Sequence, residues 1–210
     1  VCSSDLVCGI PPFISTLGMM TLLRGVILVY TKGSPIPIKS DAYKFFGKGS
    51  IAGIPVPVII LIIVFLLAHY ILTQTSYGRS VYAVGGNREA ARLSGIRVKT
   101  SEFLVYTLNG LMCGMAGLIL TARLGSAQST SGTGIEMDAI AAVILGGTSL
   151  SGGVGVVLPT VVGAMIMGII DNILTLMNVN PHATNIVKGA VILIAVLVDK
   201  KVKDLSAKAE

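Results

Sequence analysis

The sequence predicts an all-α fold of the polytopic membrane class: a single transmembrane domain over residues 1–210 with about six crossing helices, one of them short and broken by glycines. Three observations lead there. Hydrophobic residues make up 53% of the 210, and only 12% are charged, about half the charged fraction of an ordinary soluble domain. Mean hydropathy is +0.84, which implies more apolar surface than one small soluble core could bury. The apolar residues also run continuously, whereas a transmembrane barrel would alternate apolar and polar positions.

A spanning helix needs ~20 mostly apolar residues. Residues 6–23 are free of charge, and the apolar character continues past Arg24 to Tyr30, which makes the first span. Residues 1–6, VCSSDL, fit no element. The chain starts at Val1 with no charged n-region and no cleavage site, so it reads as an N-terminally truncated fragment rather than one led by a signal peptide. Residues 32–55 hold Lys32, Lys39, Lys44 and Lys48 among several prolines and glycines, a turn-rich loop too irregular for lipid. Pro55 and Pro57 open a second span at 56–75, because proline's missing N–H has no partner in a helix's first turn. A third span covers 101–122. Its Gly110, Gly114 and Gly117 form a small-residue face that would let another helix approach closely. After Arg123 and the polar LGSAQSTSGTG, a short helix is predicted over 136–150. The run GGTSLSGGVG at 146–155 then interrupts it, since glycine is costly inside helices. A full span follows at 156–177, a turn at 178–182, a last span at 183–198, and a basic tail at 199–210.

Topology follows from charge. Residues 78–99, GRSVYAVGGNREAARLSGIRVK, carry Arg79, Arg88, Arg92, Arg97 and Lys99 between two apolar runs. Positive charge in a short loop marks the cytoplasmic side, and the tail with Lys200, Lys201, Lys203 and Lys208 belongs there too. An even number of crossings must separate the two basic regions, so the short 136–150 helix has to cross. The 32–55 loop then lies outside. The net charge of +6 is accounted for by this topology and implies no nucleic acid. Within the basic loop, Asn87 is placed to cap a helix from Arg88 to Ser94 and Gly95 to end it. Ala90, Ala91 and Leu93 offer a compact apolar surface. Arg88 and Arg92, four apart, share a face, and Glu89 suits the helix N-terminus. Such a helix either docks on a partner or is a solvated loop that sets topology.

The remaining side chains argue against chemistry in this chain. Cys2, Cys8 and Cys113 form no CxxC pair and imply neither a disulfide framework nor zinc; Cys113 reads as a small packing residue. The glycine run lacks the Lys-Ser/Thr pair of a P-loop. His69 stands alone on an apolar helix. Glu136 and Asp138 suit the start of the short helix electrostatically, or else the outer mouth of a solute pathway. Asn109, Thr148, Asn172 and Asn185 are uncharged groups that either hydrogen-bond between helices or contact a neutral polyol. Asp171 and Lys188 are the ionisable residues of the last two spans. A pair between them is compatible with the pattern, and so is Asp171 at the outer interface.

Three stretches carry a family resemblance: GNREAARLSGI in the basic loop, SAQSTSGTGIEMDAIAAVILGGTSLSGG at 126–153, and IVKGAVILIAVLVD near the end. Together with the opening PPFISTLGMMTLLRGVILVYTKGSPI they resemble the permease subunit of ribose-type ABC sugar importers, over nearly the whole chain except residues 1–6. The resemblance implies a multi-pass protein of the cell membrane that imports ribose or a related simple sugar. It implies a homodimer with a second permease copy in membrane lipid, a separate ABC ATPase subunit and an extracytoplasmic sugar-binding protein. No cofactor is expected in this chain, ATP and Mg belonging to the ATPase, and the chain is expected not to be an enzyme. The ATPase-coupling surface implied is Gly85, Gly86, Asn87, Arg88, Glu89, Ala90, Ala91, Arg92, Leu93, Ser94 and Gly95, with the two glycines forming the turn into the helix. The translocation-pathway candidates are Asn109, Gln128, Glu136, Asp138, Thr148 and Asn172.

Two other classes remain as alternatives. A secondary transporter or channel for a small polar solute would need no ATPase, but would be expected to carry more intramembrane charge. An intramembrane enzyme would use Asp138 and Asp171 as a carboxylate pair, which lie 33 positions apart with no supporting motif.

Overall fold

A computed structural model describes residues 12–149 and 152–206. Residues 1–6, the first residues of the predicted opening span, Leu150 and Ser151 of the glycine run, and Lys208 of the tail lie outside the described residues. The chain is helical along most of its described length, and it divides into two compact units.

The first unit comprises the residues up to Leu66 together with Arg97–Ser131. Its long helices are α1 (Pro12–Thr31), most of α3 (Val56–Gln74) and α6 (Val98–Leu124). The 32–55 segment is more ordered than expected. It holds β1 (Ile36–Pro37), a helix α2 (Asp41–Lys48), and a hairpin of β2 (Ser50–Ile51) and β3 (Ile54–Pro55). The short helix has Asp41 in its first turn and Lys48 in its last, each matching the helix dipole. It packs on the C-terminal end of α6, where Gly47 lies against the backbone of Ala122 and Arg123. The Tyr43 and Thr121 hydroxyls hydrogen-bond there at 2.7 Å. β1 pairs antiparallel with β4 (Ser126–Ala127), Ile36 opposite Ala127. An eight-residue helix with a glycine in its last turn is too short to announce itself by periodicity.

The second unit comprises Leu67–Ile96 and the residues from Gly132 onward. It contains the last turns of α3, then α4 (Ser76–Gly86), α5 (Arg88–Leu93), α7 (Ile135–Leu145), α8 (Val157–Leu176) and α9 (Pro181–Ser206). α7 and α8 run antiparallel with almost no side chain between them. Gly163 sits on the Ala142 carbonyl, and Gly146 sits on the backbone of Thr160. Ala141, Ala142 and Met167 form the buried core of this unit, with Val191 and Ile192 of α9 packed against them. Small residues allow this close approach, which dispersion then rewards. α9 starts at Pro181, so the predicted turn is confined to the residues before it, and α9 continues to Ser206 through most of the predicted tail.

Among the described residues, α1 (from Ile14), α3, α6 and α8 are long and apolar enough to cross a membrane, and α9 carries a shorter apolar stretch at Ala183–Leu197. α7 is the short helix expected at 136–150, and it ends at Leu145, before the glycine run. Its 11 residues rise about 16 Å, roughly half the hydrocarbon core. The segment after it is not helical and continues to the end of α4, so direction is preserved without a full helix. Because α8 is antiparallel to α7 and α9, residue 206 returns to the same end of this unit as α4. Two packing expectations are not met within the chain. Nothing lies within contact distance of a side-chain carbon added at Gly110, Gly114 or Gly117, and Cys113 on the same helix is exposed. That face is turned outward.

Candidate functional site

The basic stretch is built from two helices, not one. Thr75 caps α4, accepting from the Gly78 N–H at 3.2 Å. Gly85 and Gly86, expected as a turn, are the last residues of α4. The chain turns at Asn87, which ends α4 and caps α5 in extended conformation. As the residue type predicts, its side-chain oxygen accepts from the Ala90 N–H at 3.0 Å. Ser94 closes the helix, and Gly95 takes φ 83°, a left-handed value that favours glycine. On α5, Ala91 is buried and holds the helix to its unit, so it is not available to a partner. Leu93 is 86% exposed, an apolar side chain held out into the surroundings. Arg88, Glu89, Ala90 and Arg92 are exposed as well.

α4 ends against the glycine run. A side-chain carbon at Gly85 would come within 2.8 Å of the Gly153 nitrogen, and one at Gly153 within 2.8 Å of the Gly86 α-carbon. The Tyr82 hydroxyl donates to the Gly155 carbonyl at 2.7 Å. A mostly apolar cavity of about 410 Å³ lies beside this contact, lined by Leu72, Val81, Tyr82, Val154, Val156 and Thr160 among others. Nearby, burial pushes the Tyr77 phenol above its ordinary range, and among the described residues its hydroxyl has no hydrogen-bond partner. Tyr82, Gly152, Gly153 and Gly155 are absent from the sequence-predicted site. The available signal was the recurrence of Gly-Gly pairs, at 85–86, 146–147 and 152–153, in a protein whose close backbone contacts rely on glycine; it does not say which pairs meet.

At the other end of the same unit, charged groups meet. Lys188 of α9 donates to Asp138 Oδ2 of α7 at 2.7 Å and contacts Asp171 Oδ1 of α8 at 2.9 Å. The second contact is an ion pair without hydrogen-bond geometry. The Asp171–Lys188 pair left open by the sequence therefore forms, and Asp138 joins it. Both carboxylates share one ammonium, an arrangement that ties three helices together and does not resemble an acid–base dyad. A cavity of about 770 Å³ adjoins the cluster, lined by Asp171, Thr175, Asn178, Thr184, Asn185 and Lys188 among others.

The other pathway candidates are dispersed. Glu136 reaches back to the Gly134 N–H at 3.2 Å, the helix-start role. Asn172 is exposed on α8. Thr148 lies three residues past the end of α7 that is remote from Asp138, its hydroxyl 3.4 Å from that of Thr160. In the first unit, Asn109 is exposed on α6 and Gln128 is exposed after β4. Among the described residues no group of three or more His, Cys, Asp and Glu side chains is arranged to hold a metal.

Comparison with known proteins settles the family. Residues 4–196 match the family described as the permease component of branched-chain amino acid transport systems. The chain belongs to this permease family. It is 53% identical over 193 residues to the ribose import permease of Escherichia coli (strain K12), which covers 90% of this chain and 60% of that protein. It is 50% identical over 192 residues to the ribose import permease of Bacillus subtilis (strain 168), again 90% and 60%. Over 151 residues it is 48% identical to the xylose transport system permease of Escherichia coli (strain K12), covering 72% of this chain and 38% of that protein. The chain thus spans about three fifths of the length of the ribose permeases it matches. No solved structure matches. This permease chain is accordingly a multi-pass helical membrane protein.

Proposed function

We propose that the chain serves in the membrane-spanning permease of an ATP-driven importer for ribose or a closely related simple sugar. The observation that carries this is identity of about half over nine tenths of the chain to two permeases named for ribose. A third relative is named for xylose, also a small neutral polyol. The family description names branched-chain amino acids, so their transport is the second reading to be tested. The polar cavity beside Lys188 supports the sugar reading, because hydroxyls, amides and carboxylates are the groups that hydrogen-bond a polyol.

In this reading the second permease copy, the ATPase and the binding protein are separate chains. Helix α5 is the docking element for the ATPase: Leu93 enters an apolar groove while Arg88 and Arg92 meet acidic groups at its rim, with desolvation of Leu93 supplying most of the affinity. The 78–99 stretch and the α9 end face the cytoplasm and the 32–55 segment faces out. Asn109, Gln128, Asp138 and Asn172 remain pathway candidates, with Asp171 and Asn185 added by the cavity. ATP and Mg act on the ATPase.

The test is deletion of the gene for this chain in its own cell. Uptake of labelled ribose or xylose should fall to background and return with the gene, while leucine and valine uptake stay unchanged. Loss of leucine uptake with sugar uptake intact sinks the sugar reading. Sugar uptake that persists after ATP depletion, driven by an ion gradient, sinks the ATPase.

A further inference from the structure

We propose that the contact of Gly85 and Gly86 with Gly152 and Gly153, together with the Tyr82–Gly155 hydrogen bond, is the point at which movement of the α4–α5 docking element enters the α7–α8 helix pair. This deepens the proposed function and rests on its docking reading. Gly85, Gly152, Gly153 and Tyr82 are positioning residues; none is placed on the solute.

The geometry at the contact argues for transmission. Backbone meets backbone there: a carbon on Gly85 would reach the Gly153 nitrogen at 2.8 Å, and one on Gly152 would strike the Gly85 carbonyl. Side chains can change rotamer and absorb a displacement. Backbone in van der Waals contact has no rotamer to change; Gly85, Gly86 and Gly152 are exposed and Gly153 half-buried, so it is this direct contact and not burial that resists displacement. A push from α4 therefore passes directly to residues 152 and 153. A pull passes through Tyr82, whose hydroxyl holds the Gly155 carbonyl at 2.7 Å. The cavity of about 410 Å³ beside the contact leaves room for the displacement.

What receives the movement is stiff. Gly152 and Gly153 have φ of 83° and 75°, so the linker bends sharply at residues that adopt this conformation without strain. On either side of the bend, α7 and α8 are locked by Gly146 on Thr160 and Gly163 on Ala142. The Thr148 and Thr160 hydroxyls bridge the same pair. At the other end of the pair, Lys188 binds Asp138 and Asp171 together. Movement at the glycine contact thus tilts α7 and α8 as one body, and the far end carries the ionic cluster and its polar cavity with it. Motions of this kind, small rigid-body shifts of packed helices, are a common way to convert a local displacement into a distant one.

The test uses the assembled transporter purified from its own cell and reconstituted in vesicles, with sugar import and ATP hydrolysis measured together. Gly153→Ala and Gly85→Ala should lower the ratio of sugar imported to ATP hydrolysed about tenfold, while the ATPase still co-purifies. Gly168→Ala, with nothing within contact distance, should leave the ratio unchanged. A fold defect would lower assembly and both activities together and leave the ratio intact. If the alanine variants fail to accumulate, Tyr82→Phe decides, since it removes one hydrogen bond and adds no atom; it should lower the ratio at least twofold. An unchanged ratio in Tyr82→Phe, or in an alanine variant that assembles to the normal level, overturns the proposal. If Leu93→Asp leaves co-purification of the ATPase intact, the docking reading fails instead, and the two failures are told apart by that measurement.

Discussion

Lys188 shows how much one residue can decide in this chain. It is the one long cation of the α9 apolar stretch, and it holds two carboxylates from two other helices. Removing it leaves two carboxylates, Asp138 and Asp171, close together with no cation between them. Lys188→Met is therefore expected to destabilise the protein by about 1–3 kcal/mol, between an exposed and a fully buried pair, because all three side chains are only partly buried. A triple change that adds Asp138→Asn and Asp171→Asn should recover most of that loss, since no uncompensated charge remains. Thermal unfolding in detergent measures both; a Lys188→Met variant as stable as the parent would show that the cluster carries no weight. Sequence could name Lys188 and Asp171 as candidates for pairing because ionisable residues inside spans are rare. It could not show that Asp138 also joins, since the partner of a charge is set by which helices meet.

Among the elements, α7 and α8 are the pair on which the second unit depends. Their contact is made by Gly146, Gly163, Ala141 and Ala142, with Met167 filling the space beside them. Gly163→Ala would drive a carbon into the Ala142 carbonyl and to 3.0 Å from the Gly146 nitrogen. Overpacking of this kind costs about 1–3 kcal/mol, so the melting temperature in detergent should fall by several degrees. Gly168→Ala on the same helix has nothing within contact distance and should be neutral or slightly stabilising through helix propensity. Equal effects at the two positions would contradict the packing described. Long elements were legible in the sequence to within a few residues: 56–75 against Val56–Gln74, and 156–177 against Val157–Leu176. Short ones were not. Helices α2 and α4 are amphipathic but short and contain glycines, too short for their periodicity to stand out, and tertiary contacts stabilise them: Gly47 on α6 in one case, Gly85 on the linker in the other.

For the whole molecule, charge placed in the sequence makes a prediction that membrane labelling can check. On the proposed cytoplasmic placement of the 78–99 stretch, a cysteine at Lys99, exposed and outside the docking helix, should react with an impermeant maleimide only after cells are opened. A cysteine at Asn180, in the α8–α9 turn, should react in intact cells, and the opposite pattern would invert the topology. Amino-acid composition and the lengths of apolar runs determined the membrane class, because a hydrocarbon core of fixed thickness admits few backbone solutions. The capped helix at Arg88 was determined by its own residues as well, since a cap is a contact between neighbours in the chain. Only the tertiary structure decided that a half-length helix closes on α8, that the glycine run lies on the end of α4, and that three charges from three helices meet. Each of these depends on which distant backbones approach closely. Glycine permits such an approach without specifying the partner, so the partner can be read only once the helices are packed.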